Sequence, residues 1–86
     1  MATKKLRVYK IRWREQAQAY EQAPAYEETL IKAHTEREAL EKLANKAILA
    51  GIGKYYLWVI WIMDCSEHQC MLTKRLYIKR MSEILD

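Results

Sequence analysis

The run "KYYLWVIWIMDC", residues 54 to 65, constrains the fold of this chain more than any other feature. From Tyr55 to Met63 it holds nine apolar residues without a break. As a helix these would span about 14 Å, roughly half the hydrocarbon thickness of a bilayer. A membrane span is excluded on length. The run is rich in aromatic and branched residues, with Gly51 and Gly53 before it and the polar stretch Asp64 to Gln69 after it. That pattern predicts a strand. Strict alternation would point Tyr55, Leu57, Val59, Trp61 and Met63 one way, and Tyr56, Trp58, Ile60 and Ile62 the other. Both faces are then apolar. Such a strand is either central with both faces covered, or it buries its second face against another molecule.

One cover is legible upstream. Thr35 is placed as an N-cap, and Glu38 follows three residues later to close a capping box. Leu40, Leu43, Ala44, Ala47 and Ile48 form an apolar stripe at helical spacing, while Glu41, Lys42, Asn45 and Lys46 take the wet side. Gly51 sits where a left-handed cap is needed. The spacing predicts a helix from about Glu36 to Ala50. Being amphipathic, it covers one face of a sheet only.

Further strands flank these two elements. In "LRVYKIRWR", Tyr9, Ile11 and Trp13 alternate with Lys10, Arg12 and Arg14, giving an apolar face and a cationic face. Leu6 and Val8 fall on the other parity, so a bulge or twist is expected near Tyr9. "ETLIKAHT", Glu28 to Thr35, leads straight into the helix, and His34 reads as a half-exposed strand residue. "CMLTKRLYIK", Cys70 to Lys79, reads either as a strand before a short helical turn, the favoured reading, or as a C-terminal helix. The expected fold class is α+β. It is an antiparallel sheet of about four strands in the order ββαββ, with one amphipathic helix on one face and a possible short C-terminal helix. The 86 residues suit one domain, 1–86. One helix on four strands leaves the second sheet face open, so a homodimer or a partner surface is expected.

Charge points to the partner. The net charge of +4 hides an uneven distribution: Lys4, Lys5, Arg7, Lys10, Arg12 and Arg14 all precede the first acid, Glu15. Lys74, Arg75, Lys79 and Arg80 also run without an acid among them. Cations interleaved with aromatic faces are what single-stranded nucleic acid binding needs, although edge-strand cations also block edge-to-edge aggregation. Between the first two strands, "QAQAYE" at 16–21 is repeated as "QAPAYE" at 22–27, an exposed loop that would present Tyr20 and Tyr26. The expected partner or nucleic-acid-binding set is Lys10, Arg12, Arg14, Lys74, Arg75, Lys79, Tyr20, Tyr26 and Tyr77. Trp13, by parity with Tyr9 and Ile11, is expected in the core.

Catalytic chemistry finds little support. "CSEHQC" offers Cys65, His68 and Cys70, with His34 a distant fourth, but the spacing is not that of a zinc knuckle. The two cysteines could also pair across the hairpin; free thiols in a reducing cytosol are the expected state. Nothing in the sequence orients a histidine onto a nucleophile. No enzyme, metal or cofactor is expected. The N-terminal "MATKKLRVYK" has cations with no apolar run behind them, so no secretory signal is read there, and a cytoplasmic protein is expected.

A basic first strand, a second strand running into "TEREALEKLANKA", and then an aromatic strand resemble the element order of small phage-encoded proteins. Among these are anti-CRISPR inhibitors of type I surveillance complexes. The likeness spans most of the chain as size and order of elements. It implies a non-catalytic inhibitor that uses lysines and arginines to occupy a nucleic-acid-binding surface, or the nucleic acid itself. With no motif to align, no site residue carries over. The alternative class is a small dimeric nucleic-acid-binding protein.

Overall fold

The computed structural model describes residues 5–15, 26–53, 57–66, 71–72 and 79–85. Its elements in chain order are β1 (Arg7–Glu15), β2 (Glu27–Ala33), α1 (Glu36–Leu49), β3 (Leu57–Asp64), β4 (Met71–Leu72), β5 (Lys79–Arg80) and α2 (Met81–Leu85). All strand pairings are antiparallel, in the order β2-β1-β3-β4, and β5 also pairs with β3. β3 is therefore an interior strand with partners on both edges. β1 takes one of its edges. β4 takes the other edge at Met63 and Asp64, and β5 takes it at Trp58 and Val59. The α+β class and the short C-terminal helix stand as expected; two short segments occupy the place of a single fourth strand.

Register explains which side chains face in. Between β1 and β2 it is regular, Tyr9 against Ile31 and Ile11 against Thr29. Between β1 and β3 it slips once: Arg12 lies opposite Trp61, but the next residue, Trp13, lies opposite Val59. Ile60 is the extra residue, a β-bulge in β3. Beyond it the strand changes parity, because side chains alternate with period two. Leu57, Val59 and Ile62 are all fully buried, whereas Trp58, Trp61 and Met63 are half-buried on the other side. This corrects the strict alternation expected for 55–63, which put Trp61 with Leu57 and Val59. It also relocates the expected irregularity. The pairing of Tyr9 is regular on both sides, and Val8 simply faces outward, half-buried.

The helices close the inner face. α1 starts at Thr35, whose hydroxyl accepts from the Glu38 backbone N–H at 3.1 Å. The return half of the box is displaced by one residue: the Glu38 carboxylate accepts from the His34 backbone N–H, at 3.2 Å. At the other end Gly51 takes φ +85°, with Gly51 N–H donating to Ile48 and Ile52 N–H to Ala47. This is a Schellman cap, with Ile52 folded back against the core. The buried stripe is Ala39, Leu40, Leu43, Ala44 and Ala47. Ile48, expected within it, is instead exposed, and Ala39 takes a place in the core. α1 lies mainly over β2, and α2 lies beside it over β3 and β5. Met81 is fully buried, and the Arg37 guanidinium donates to the Leu85 carbonyl at 2.8 Å, joining the two helices. Among the described residues no helix is long and apolar enough to cross a membrane.

The bulge makes adjacent residues respond oppositely to substitution. Ile62→Ala should cost about 2–5 kcal/mol, since it empties a fully buried site. Trp61→Ala, one residue away but outside the core, should cost less than half as much. Urea denaturation of the two variants measures this, and the reverse order would show strict alternation instead.

Candidate functional site

The face of the sheet turned away from α1 and α2 collects an unusual set of side chains. Residues directly opposite in antiparallel strands share a face. Lys10 lies opposite Met63, Arg12 opposite Trp61, and Arg14 opposite Trp58. On the other side of β1, Lys10 lies opposite Leu30, and Arg12 opposite Glu28. From β5, Arg80 lies opposite Trp58. None of the inward-facing core residues takes part, and among the described residues no helix packs here.

The guanidiniums on this face rest on aromatic rings. Arg12 lies over the ring of Tyr26 with its guanidinium carbon 4.8 Å from the centroid; Arg14 is 5.9 Å from the same ring. Arg80 lies over Trp58 at 5.3 Å. Ring quadrupoles attract these cations without neutralising them. Elsewhere on the molecule three described cations are answered by carboxylates: Arg7 by Asp64 at 2.7 Å, Arg37 by Glu41 at 3.2 Å, Lys42 by Glu38 at 3.3 Å. On the outer face the contact of Lys10 with Glu28, at 3.8 Å, is the only ion pair among the described residues. Arg12, Arg14 and Arg80 rest on rings and have no carboxylate within ion-pair distance among the described residues.

Trp58 adds a second sign that this face is not arranged for stability alone. Its indole Nε1–H is sealed from solvent and has no acceptor. An unpaired buried donor costs about 1–3 kcal/mol. Trp13 shows the contrasting case. It packs against the core, as expected, and its Nε1–H donates to the Thr29 hydroxyl at 2.9 Å.

Several expected site residues fall into place and others do not. Lys10, Arg12, Arg14 and Tyr26 come together on the outer face. Lys79 does not join them: it lies opposite the buried Val59 and so belongs to the helix-bearing side of the sheet. Arg80, its neighbour, takes that place. Lys74, Arg75, Tyr77 and Tyr20 lie outside the described residues. Trp58 and Trp61 were missed because alternation separates positions 58 and 61, and nothing in the residues around Ile60 marks a bulge.

The far end of β3 is a structural tip. Cys65 N–H donates to the Val8 carbonyl at 2.7 Å, and Val8 N–H donates to the Ser66 hydroxyl at 3.0 Å. Cys65 is disulfide-bonded, which corrects the expected free thiol. The other cysteine of the chain, Cys70, lies outside the described residues. His68 lies outside them too, and among the described residues no cluster of three metal-ligating side chains occurs. His34, expected on a half-exposed strand face, is exposed in the bend before α1, with Nδ1 3.4 Å from Glu38.

Comparison with protein-family models, curated proteins and solved structures found no match. Functional assignment therefore rests on the outer face itself.

Acid should loosen the tip. Burial pushes the Asp64 carboxyl up, but the Ser66 hydroxyl and backbone N–H and the Arg7 guanidinium more than offset this and hold it below the ordinary carboxylate value. A carboxyl depressed in the folded state stabilises it at pH values above the unfolded pKa. That contribution is lost as pH falls through the folded pKa. Stability should decline below about pH 4, and Asp64→Asn should flatten this limb while lowering stability at neutral pH. Thermal melts across pH measure it; an unchanged acid limb in Asp64→Asn would assign the loss to other carboxylates.

Proposed function

We propose that this chain is a non-catalytic binding protein that works through the outer face of its sheet. Its role is that of a mobile-element inhibitor acting in the host cytoplasm, blocking a nucleic-acid-handling complex. The observation that carries the reading is the direct cross-strand placement of Arg12 and Arg14 against Trp61 and Trp58, on a face that no described helix covers. Such a surface offers fixed positive charge over aromatic area, the composition of interface hot spots. The element order read from the sequence supports the inhibitor role.

Charge also bears on what covers the face. A homodimer was expected from the two apolar sides of β3. Packing this face on its own copy would set guanidiniums without carboxylate partners against one another in a desolvated interface. Burying like charges together is costly. The face favours an anionic partner over a second copy.

The test is a DNA-binding assay with purified type I surveillance complex. The wild-type chain should suppress binding of the complex to its target DNA. The double variant Arg12→Glu/Arg14→Glu should not, and its own stability should change by only about 1 kcal/mol per site. Full suppression by the double variant, with its fold intact by circular dichroism, would remove the outer face from the mechanism.

A further inference from the structure

We propose that the outer face binds a single-stranded nucleic acid directly, with phosphates on Arg12, Arg14 and Arg80 and bases against the rings of Trp61, Trp58 and Tyr26. This rests on the same surface as the inhibitor reading and names its ligand. Three properties of the face select that chemistry.

The first is charge complementarity. Among the described residues, three guanidiniums lie on aromatic rings with no carboxylate partner, and Glu28, opposite Arg12 and paired with Lys10, is the one acid on this face. Guanidiniums present a donor fork that matches phosphate oxygens, and they stack on rings without losing it. The second is alternation. Along β1 the cations recur every second residue, about 7 Å apart, and each is answered across the strand pair by an aromatic ring or a thioether: Trp58, Trp61, Met63. A single strand with its bases splayed presents the complementary series, a charged phosphate and a flat base at each step.

The third is shape. A duplex is read by a helix or a two-stranded ribbon that enters the major groove. Here the rings and cations lie across β1, β3 and β5 on the broad surface of a sheet. Such a surface cannot enter a groove, and stacked base pairs hide the faces that the rings would meet. An acidic protein surface would satisfy the guanidiniums but would leave Trp58 and Trp61 without a matching partner. A base can take either position: against an indole, or on a guanidinium plane already seated on one.

Fluorescence titration of the full chain with oligothymidylate or oligouridylate tests the proposal. Tryptophan emission should be quenched on binding. Affinity should fall with salt at a log–log slope of about −2, as three phosphate contacts to a single strand require. Arg12→Ala or Arg14→Ala should make that slope shallower by about 0.7. Trp61→Ala should weaken binding about 5- to 150-fold, the range of one lost base stack. Should Trp61→Ala fold poorly, the arginine variants carry the test, because their side chains lie outside the core. Equal or tighter binding of the corresponding duplex would overturn the proposal, as would binding that Arg12→Ala and Arg14→Ala leave unchanged. No binding even at low salt would overturn it as well. If oligonucleotides fail to bind while the wild-type chain still suppresses the surveillance complex, and Arg12→Glu/Arg14→Glu does not, the direct ligand is wrong and the inhibitor reading stands. If oligonucleotides bind but the complex is unaffected, the inhibitor reading falls and the ligand stands.

Discussion

The structure depends on one extra residue. β3 carries nearly all of the aliphatic bulk that the sheet gives to its core from beyond β1 and β2, and it carries two of the three tryptophans of the chain. Without the bulge at Ile60, a single alternation would force a compromise. Either Trp61 would enter the core with Leu57 and Val59 while Ile62 turned out, or Ile62 would face in while Leu57 and Val59 turned out. Inserting one residue lets Leu57, Val59 and Ile62 all face the helices while Trp58 and Trp61 both face away. The bulge sorts aliphatic from aromatic residues within one strand. It leaves one β3 residue unpaired with β1, a modest cost for a segregated core.

That sorting sets what the helices must do. The inner face is lined by branched and small residues, and α1 meets it with three alanines and two leucines. Small side chains let the helix lie close to the sheet at interior packing density. Because α1 sits chiefly over β2, the β3 side of the core needs its own cover, and α2 supplies it through fully buried Met81. The two helices together cover one face. Among the described residues no helix lies on the other face, which carries the strands' own outward side chains.

How far the sequence revealed this follows from which signals are local. α1 was legible to within one residue because its cap and its stop are written in adjacent residues: Thr35 and Glu38 at the start, Gly51 at the end. The interior place of β3 was one of the two readings its apolar run allowed, and the spatial order of the strands was not written in any local signal. Ile48 was misplaced because the stripe was drawn from hydropathy alone, whereas the angular position of Ala39 relative to β2 decides which residue faces in. The site was harder to read. Lys10, Arg12, Arg14 and the core placement of Trp13 follow from the alternation within β1. Trp58, Trp61 and Arg80 depend on the register between strands distant in sequence. Lys79 fell on the wrong side for the same reason: adjacent residues on a strand point oppositely, so choosing 79 over 80 needs the partner strand.

The contrast between the two kinds of charge on this molecule carries the final step. On α1, Arg37 and Lys42 pair with carboxylates, and exposed pairs such as Arg37–Glu41 contribute only about 0.5 kcal/mol each. Their arrangement suits a solvated surface. On the outer face the partners of the guanidiniums are rings, which fix their positions and leave the charge free to act beyond the protein. A face optimised only for the free monomer would have little use for this. It exposes aromatic area to water, leaves the Trp58 indole donor unsatisfied, and gathers like charge. The flat, anionic ligand proposed above would reduce two of these costs, by covering the rings and answering the arginines. The features that make the face unfavourable alone are those that make it complementary to such a ligand, and the bulge at Ile60 is what brings them to one side.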